Sequence, residues 1–129
     1  MTLIIASVIA SVILIVISKI PVAIEMNRME GGYDNHYPRD QQAALSGLGK
    51  RAVGAHNNCI EAFPLFAVGV LLALWANADV MTIQNLCVVF ICARIAYLVC
   101  YWLNWDKARS TVWTVGFICS VWLMVLALP

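Results

Sequence analysis

Charge is what this sequence has least of. Only 12% of its 129 residues are Asp, Glu, Lys or Arg, while 63% are apolar. A soluble domain of this length carries about twice that charge. The net charge is +1, so the chain lacks the basic surface that a nucleic-acid partner would need. Heptads, low-complexity tracts and internal repeats are also missing. Five cysteines are present (Cys59, Cys87, Cys92, Cys100 and Cys119), but none forms a CxxC pair or a metal-ligand spacing with histidine. They read as small hydrophobes, and no metal site is expected. These absences leave one compact unit over residues 1–129, an all-α integral membrane four-helix bundle.

Four apolar runs supply the spans. Residues 3–18, LIIASVIASVILIVIS, carry no charge, and Lys19 can snorkel from their end. No basic segment precedes them, which favours a transmembrane helix over a signal peptide. This first span is expected over 3–24, with Pro21 marking a kink or an end. The segment 25–50 is the one long polar stretch. Gly31-Gly32 and Tyr37-Pro38 mark turns in it, and a short helix is expected around 40–48. The second span is expected over 53–75, with a kink before Pro64. A turn at 76–79 is too short for anything but an antiparallel return. The third span covers about 80–103, and the fourth about 111–128 after a tight polar connection.

Four spans put residues 25–52 and 104–110 on one side. Those loops and their edges hold Lys19, Arg28, Arg39, Lys50, Arg51, Lys107 and Arg109, while the other side has Asp79 and no basic residue. The positive-inside rule makes both basic loops cytoplasmic and both termini external. A bacterial inner membrane is the expected location.

Residues 51–66, RAVGAHNNCIEAFPLF, put Asn58 and Glu61 inside the second span, and the third span holds Arg94. Ionisable groups inside a bilayer are costly and mark functional sites. Glu61 lies ten residues past Arg51, and Arg94 ten residues before Asn104. At about 1.5 Å per residue both are roughly 15 Å deep, so an ion pair between them is expected. Arg51, Asn58 and Glu61 fall within about 80° on one helix face, and Arg94, Tyr97 and Tyr101 within about 60° on the next. The two stripes form a cleft open toward the cytoplasmic end, with Arg109-Ser110 able to cover its mouth. One reading is that the pair only fixes helix register and that the tyrosines are interface anchors. The other is a site for a small ligand bearing carboxylates and an amine, because arginines fork onto carboxylates and a glutamate receives an ammonium.

NNCIEAFPLF followed by ARIAYLVCY on the next helix resembles the MAPEG family, membrane-associated proteins in eicosanoid and glutathione metabolism. The resemblance covers residues 5–128. It implies a homotrimer that binds glutathione as co-substrate between subunits, and it places Asn58, Glu61, Arg94, Tyr97 and Tyr101 among the binding residues. It also implies that an arginine at the start of the fourth helix stabilises the glutathione thiolate. Arg109 fills that position with an offset of one residue, and Ser110 or Tyr101 can donate to the sulfur. The family arginine four residues before the asparagine falls on Gly54, with Arg51 one turn earlier as a substitute. A family tyrosine falls on Ala62, and His56 lies between these positions. The implied activity is a glutathione-dependent transferase or peroxidase acting on lipophilic small-molecule electrophiles, with lipids as further partners. The rival is a non-catalytic trimeric scaffold that binds a lipid or a partner protein. A transporter is disfavoured, because the cleft opens on one side only.

Overall fold

The computed structural model describes residues 1–129 and is all-helical. Helix α1 runs Thr2–Asn27, α2 Pro38–Ala43, α3 Gly47–Trp75, α4 Val80–Trp102 and α5 Asp106–Val125. All but α2 are long and apolar enough to cross a membrane. The sequence-based limits differ most at two helix starts. Helix α3 begins six residues before 53, and α5 begins five residues before 111. Apolar runs mark where a helix can meet lipid, whereas the helices themselves continue through Lys50-Arg51 and Asp106–Arg109: lysine and arginine favour helix about as well as leucine does, and Asp106 stands in the first turn of α5, where an acidic side chain suits the helix dipole. Both α1 and α3 run on through their prolines, Pro21 and Pro64.

Two asparagines in the left-handed region end α3 and α4. Asn77 has φ 56° and Asn104 φ 63°. In each case the following residue bonds back to the last turn, Ala78 N to Ala73 O at 3.0 Å and Trp105 N to Cys100 O at 2.8 Å. This is the Schellman closure, and it reverses the chain within a few residues. Helix α4 then starts on Asp79, whose carboxylate accepts from Thr82 N at 2.8 Å and from Thr82 Oγ1 at 2.7 Å. Those two bonds hold the exposed Asp79 carboxyl below its ordinary value of 3.8.

The helices alternate in direction. One core joins Ile4 of α1 to Phe66 and Val70 of α3, Ile83 and Phe90 of α4, and Leu123 of α5. Another, at the opposite end, joins Val22 and Met26 of α1 to Leu45 and Ala52, with Trp102 packed against it. Around the bundle the order is α1, α3, α5, α4, and α3 and α4 also meet across the middle. There the Phe66 and Phe90 rings stack 3.9 Å apart and nearly parallel, at 2°. Small residues allow the close approaches. A side chain on Gly69 would stand 2.8 Å from Ser120 O and 3.0 Å from Leu123 Cβ, so α3 and α5 meet backbone to backbone. The buried Ser7, Ser11 and Ser18 of α1 each bond a carbonyl of their own helix.

The polar segment before α3 is organised by Gln41. Its Nε2 donates to Gly32 O at 2.6 Å and to Met26 O at 3.2 Å, and its Oε1 accepts from Asp34 N at 2.9 Å. Gly31 and Gly32, at φ 87° and 74°, make the turn that these bonds close. Nothing in the hydropathy of 25–50 singles out Gln41.

Candidate functional site

Arg94 is 4% exposed, and the structure does not pair it with Glu61. The direct ion pair expected between them is replaced by a relay through Asn58. Arg94 Nη2 donates to Asn58 Oδ1 at 2.9 Å, and Asn58 Nδ2 donates to Glu61 Oε2 at 3.3 Å. Chemistry dictates that order: a guanidinium only donates, a carboxylate only accepts, and an amide does both. The depth count put Glu61 and Arg94 level but missed the facing. Asn58 and Glu61 are three residues apart and so diverge by about 60° around α3. Asn58 aims at α4, while Glu61 stays exposed on the flank of the bundle. The one ion pair in the structure, Arg28 with Glu25, lies at the end of α1. Arg94 Nη2 also reaches Cys59 Sγ at 3.7 Å, and the guanidinium lies 4.4 Å from the centroid of the Tyr97 ring.

From Tyr97 the site continues toward the helix end. Tyr97 and Tyr101, four residues apart on α4, meet edge to face with centroids 5.5 Å apart at 76°. The Asn104 turn brings the first turn of α5 back over them, and the Arg109 guanidinium stands 4.5 Å from the Tyr101 centroid. Two guanidiniums thus bracket a pair of tyrosines. Ser110 is exposed, and its Oγ donates to Asp106 O at 3.1 Å within its own helix. No hydrogen bond joins it to Arg109 or Tyr101.

Three other residues singled out in the sequence make contacts of a different kind. Arg51 Nη2 donates to Trp102 O at 3.4 Å, and Arg51 Nε and Trp102 Nε1 are buried with no partner. Arg51 therefore caps the end of α4 and does not line the cleft. Gly54 faces the Tyr101 hydroxyl, which occupies the space a side chain would take. His56 Nδ1 lies 2.9 Å from Oγ of the fully buried Ser18, a contact that ties α3 to α1.

A cavity of about 130 Å³ opens between α3 and α5. Its buried lining is Phe90, Arg94, Gly116 and Ser120, and its more exposed lining is Asn58, Glu61, Ala62, Leu65, Trp113 and Phe117. Glu61, Leu65, Trp113 and Phe117 are exposed, so the mouth lies on the side of the bundle. The Trp113 and Phe117 rings stack 5.3 Å apart at 6° along that rim. The cavity therefore offers a guanidinium, an amide and a carboxylate, against walls that are otherwise mostly apolar. Arg109 stands seven residues before Gly116 on α5, roughly 10 Å nearer the helix end. The α5 lining was missed from the sequence. Its signal is the spacing of Trp113, Gly116, Phe117 and Ser120, which repeats at three and four residues along one helix face.

The MAPEG family model matches residues 3–129, so the chain belongs to the MAPEG family and is an integral, multi-pass membrane protein. Comparison with curated proteins and with solved structures finds no match.

Proposed function

We propose that this MAPEG-family chain is a glutathione-dependent membrane transferase or peroxidase that presents the glutathione thiolate to lipophilic electrophiles. The observation that carries this reading is the state of Arg94. It is a buried cation whose hydrogen-bond acceptor is an amide, beside a Glu61 carboxylate that no cation holds. Burying a charge without an opposite charge costs several kcal/mol, roughly, unless a ligand supplies one. A carboxylate of glutathione would supply it at Arg94, and Glu61 would take the ammonium. No hydrogen bond within the chain uses Arg94 Nε or Nη1, which leaves donors free for that carboxylate beside the Nη2 bond to Asn58.

Arg109 is the group assigned to the sulfur. The thiolate, not the thiol, is the nucleophile, and a guanidinium beside the sulfur favours the anion. Tyr101, under Arg109, and Ser110, one residue on, are the hydroxyl donors of the same reading. In conjugation the sulfur lone pair forms the C–S bond, and the displaced pair leaves with the leaving group or ends on the oxygen of an opened ring, which takes up a proton. The cavity volume supports an oligomer in this reading, and the family resemblance makes it a homotrimer. Pockets for small molecules run about 300–1,000 Å³, so a cleft of 130 Å³ needs a wall from a neighbouring copy. Lipids cover the outer apolar faces, the basic loops are cytoplasmic and the termini external, and a bacterial inner membrane is the host.

Ultraviolet difference absorbance of the detergent-purified protein, titrated with glutathione at neutral pH, tests the reading. A saturable thiolate band that Arg109→Ala abolishes supports it. Absence of both the band and calorimetric binding in the wild type refutes it. The second reading, a non-catalytic scaffold binding a lipid or partner protein, is favoured by Gly54 and by Arg51, because no cation from either position lines the cleft. Thermal stability unchanged by glutathione would support that alternative.

A further inference from the structure

Gly54 lies in the middle of α3, and its backbone is not in the left-handed region that Gly31, Gly32 and Gly47 occupy. Conformation therefore does not call for glycine here. Space does. A methyl group on Gly54 would overlap the Tyr101 hydroxyl oxygen and would lie 2.8 Å from Tyr101 Cζ and 3.4 Å from Cε1. The three nearest atoms all belong to Tyr101. By contrast, a methyl on Gly116 would make only ordinary contacts, the nearest at 3.7 Å.

Tyr101 is held on two sides. The Tyr97 ring meets it edge to face, and the Arg109 guanidinium lies over it. The side chain of Arg109 makes no hydrogen bond within the chain; its partner is the face of that ring. We infer that Gly54 is a positioning residue: the space left by its missing side chain is the seat of the Tyr101 hydroxyl, and through that seat α3 sets where the Arg109 guanidinium stands. This rests on the reading that Arg109 acts on the glutathione sulfur. It gives the absent side chain a role of its own, since any larger residue at 54 tilts the platform under the catalytic cation while leaving the Asn58 relay, a turn away, in place.

The test is a double-mutant cycle of Gly54→Ala and Tyr101→Ala with two readouts, thermal unfolding without ligand and the pH midpoint of the thiolate band with glutathione. In the wild-type background Gly54→Ala lowers Tm, because the methyl evicts the ring. In the Tyr101→Ala background it raises Tm, because alanine is the better helix former and nothing is in the way. With glutathione, Gly54→Ala moves the thiolate midpoint up by about one unit, a tenfold lower thiolate-to-thiol ratio at any given pH. In the Tyr101→Ala background it adds no further shift, and binding measured by calorimetry changes less than the midpoint does. A rise in Tm in both backgrounds overturns the seat. A midpoint shift of equal size in both backgrounds, or none in either, overturns its consequence for Arg109. A wild type that binds no glutathione refutes the proposed function and the Arg109 consequence together, while the Tm sign reversal still decides the seat.

Discussion

Arg94 donates to Oδ1 of Asn58 at 2.9 Å, and this bond to a neutral amide is what fastens the buried cation of α4 to α3. Removing the acceptor leaves the charge with a sulfur and an aromatic face. Asn58→Leu is expected to cost about 2 kcal/mol, within the range for hydrogen bonds to charged groups. Asn58→Asp keeps an acceptor for Arg94 but cannot donate to Glu61, so it should recover stability without recovering ligand binding. Unfolding in mixed micelles and glutathione calorimetry on the two variants separate these outcomes.

Glu61 is exposed, and its one hydrogen bond is the 3.3 Å contact from Asn58. Glu61→Gln should therefore change stability by no more than about 0.5 kcal/mol. If the carboxylate receives an ammonium, the same change weakens glutathione binding roughly tenfold. A large loss of stability with unchanged affinity would make Glu61 a structural residue.

Arg109 contacts the Tyr101 ring, so Arg109→Ala should leave the fold intact. Losing one donor to a developing or resting anion typically costs about 100-fold or more in rate. The expected result is a fall of that order in glutathione-dependent turnover with any reactive electrophile. Arg109→Lys should restore only part, since an ammonium keeps the charge but stacks poorly on a ring.

Gly69 and Gly116 should respond to alanine with opposite signs. At Gly69 the methyl meets Ser120 O at 2.8 Å and wedges α3 from α5, an overpacking cost of about 1–3 kcal/mol. At Gly116 the contacts are ordinary, and the gain in helix propensity approaches about 1 kcal/mol. The Gly116 variant should be the more stable protein with the narrower cavity, and bulky electrophiles should lose turnover before small ones do.

Asp79 sets the acid limit of the α3–α4 turn. Its folded pKa lies below the ordinary 3.8, so its stabilisation is complete above that value and is lost as pH falls through the folded pKa. Thermal unfolding between neutral pH and pH about 3 should show this loss in the wild type. Asp79→Ala should be less stable at neutral pH and should show a smaller decline below pH about 4.

Much of the architecture was legible because lipid imposes a simple code. Apolar runs gave four spans, and the shortness of 76–79 and 104–110 gave their alternation. The starts of α3 and α5 were not legible, because hydropathy falls where charges begin, and Lys50, Arg51, Asp106 and Lys107 continue a helix while ending an apolar run. At the candidate site, counting residues fixed depth but not direction. It set Glu61 level with Arg94 and overlooked that Asn58 is the residue turned toward α4. Gly54 shows a different limit. A glycine in a sequence announces only that something is missing, and what fills the gap comes from another helix, 47 residues later.

The mouth of the cavity opens between Leu65 on α3 and Trp113 and Phe117 on α5, on the exposed flank of the bundle. If, as proposed, the reagent is a lipophilic electrophile that enters there beside a neighbouring copy, it arrives from the oil phase, and encounter is governed by its mole fraction among the acyl chains and not by its molarity in water. Added empty vesicles would then slow the reaction at constant total reagent, and an electrophile's partition coefficient would set its apparent KM as strongly as its fit does.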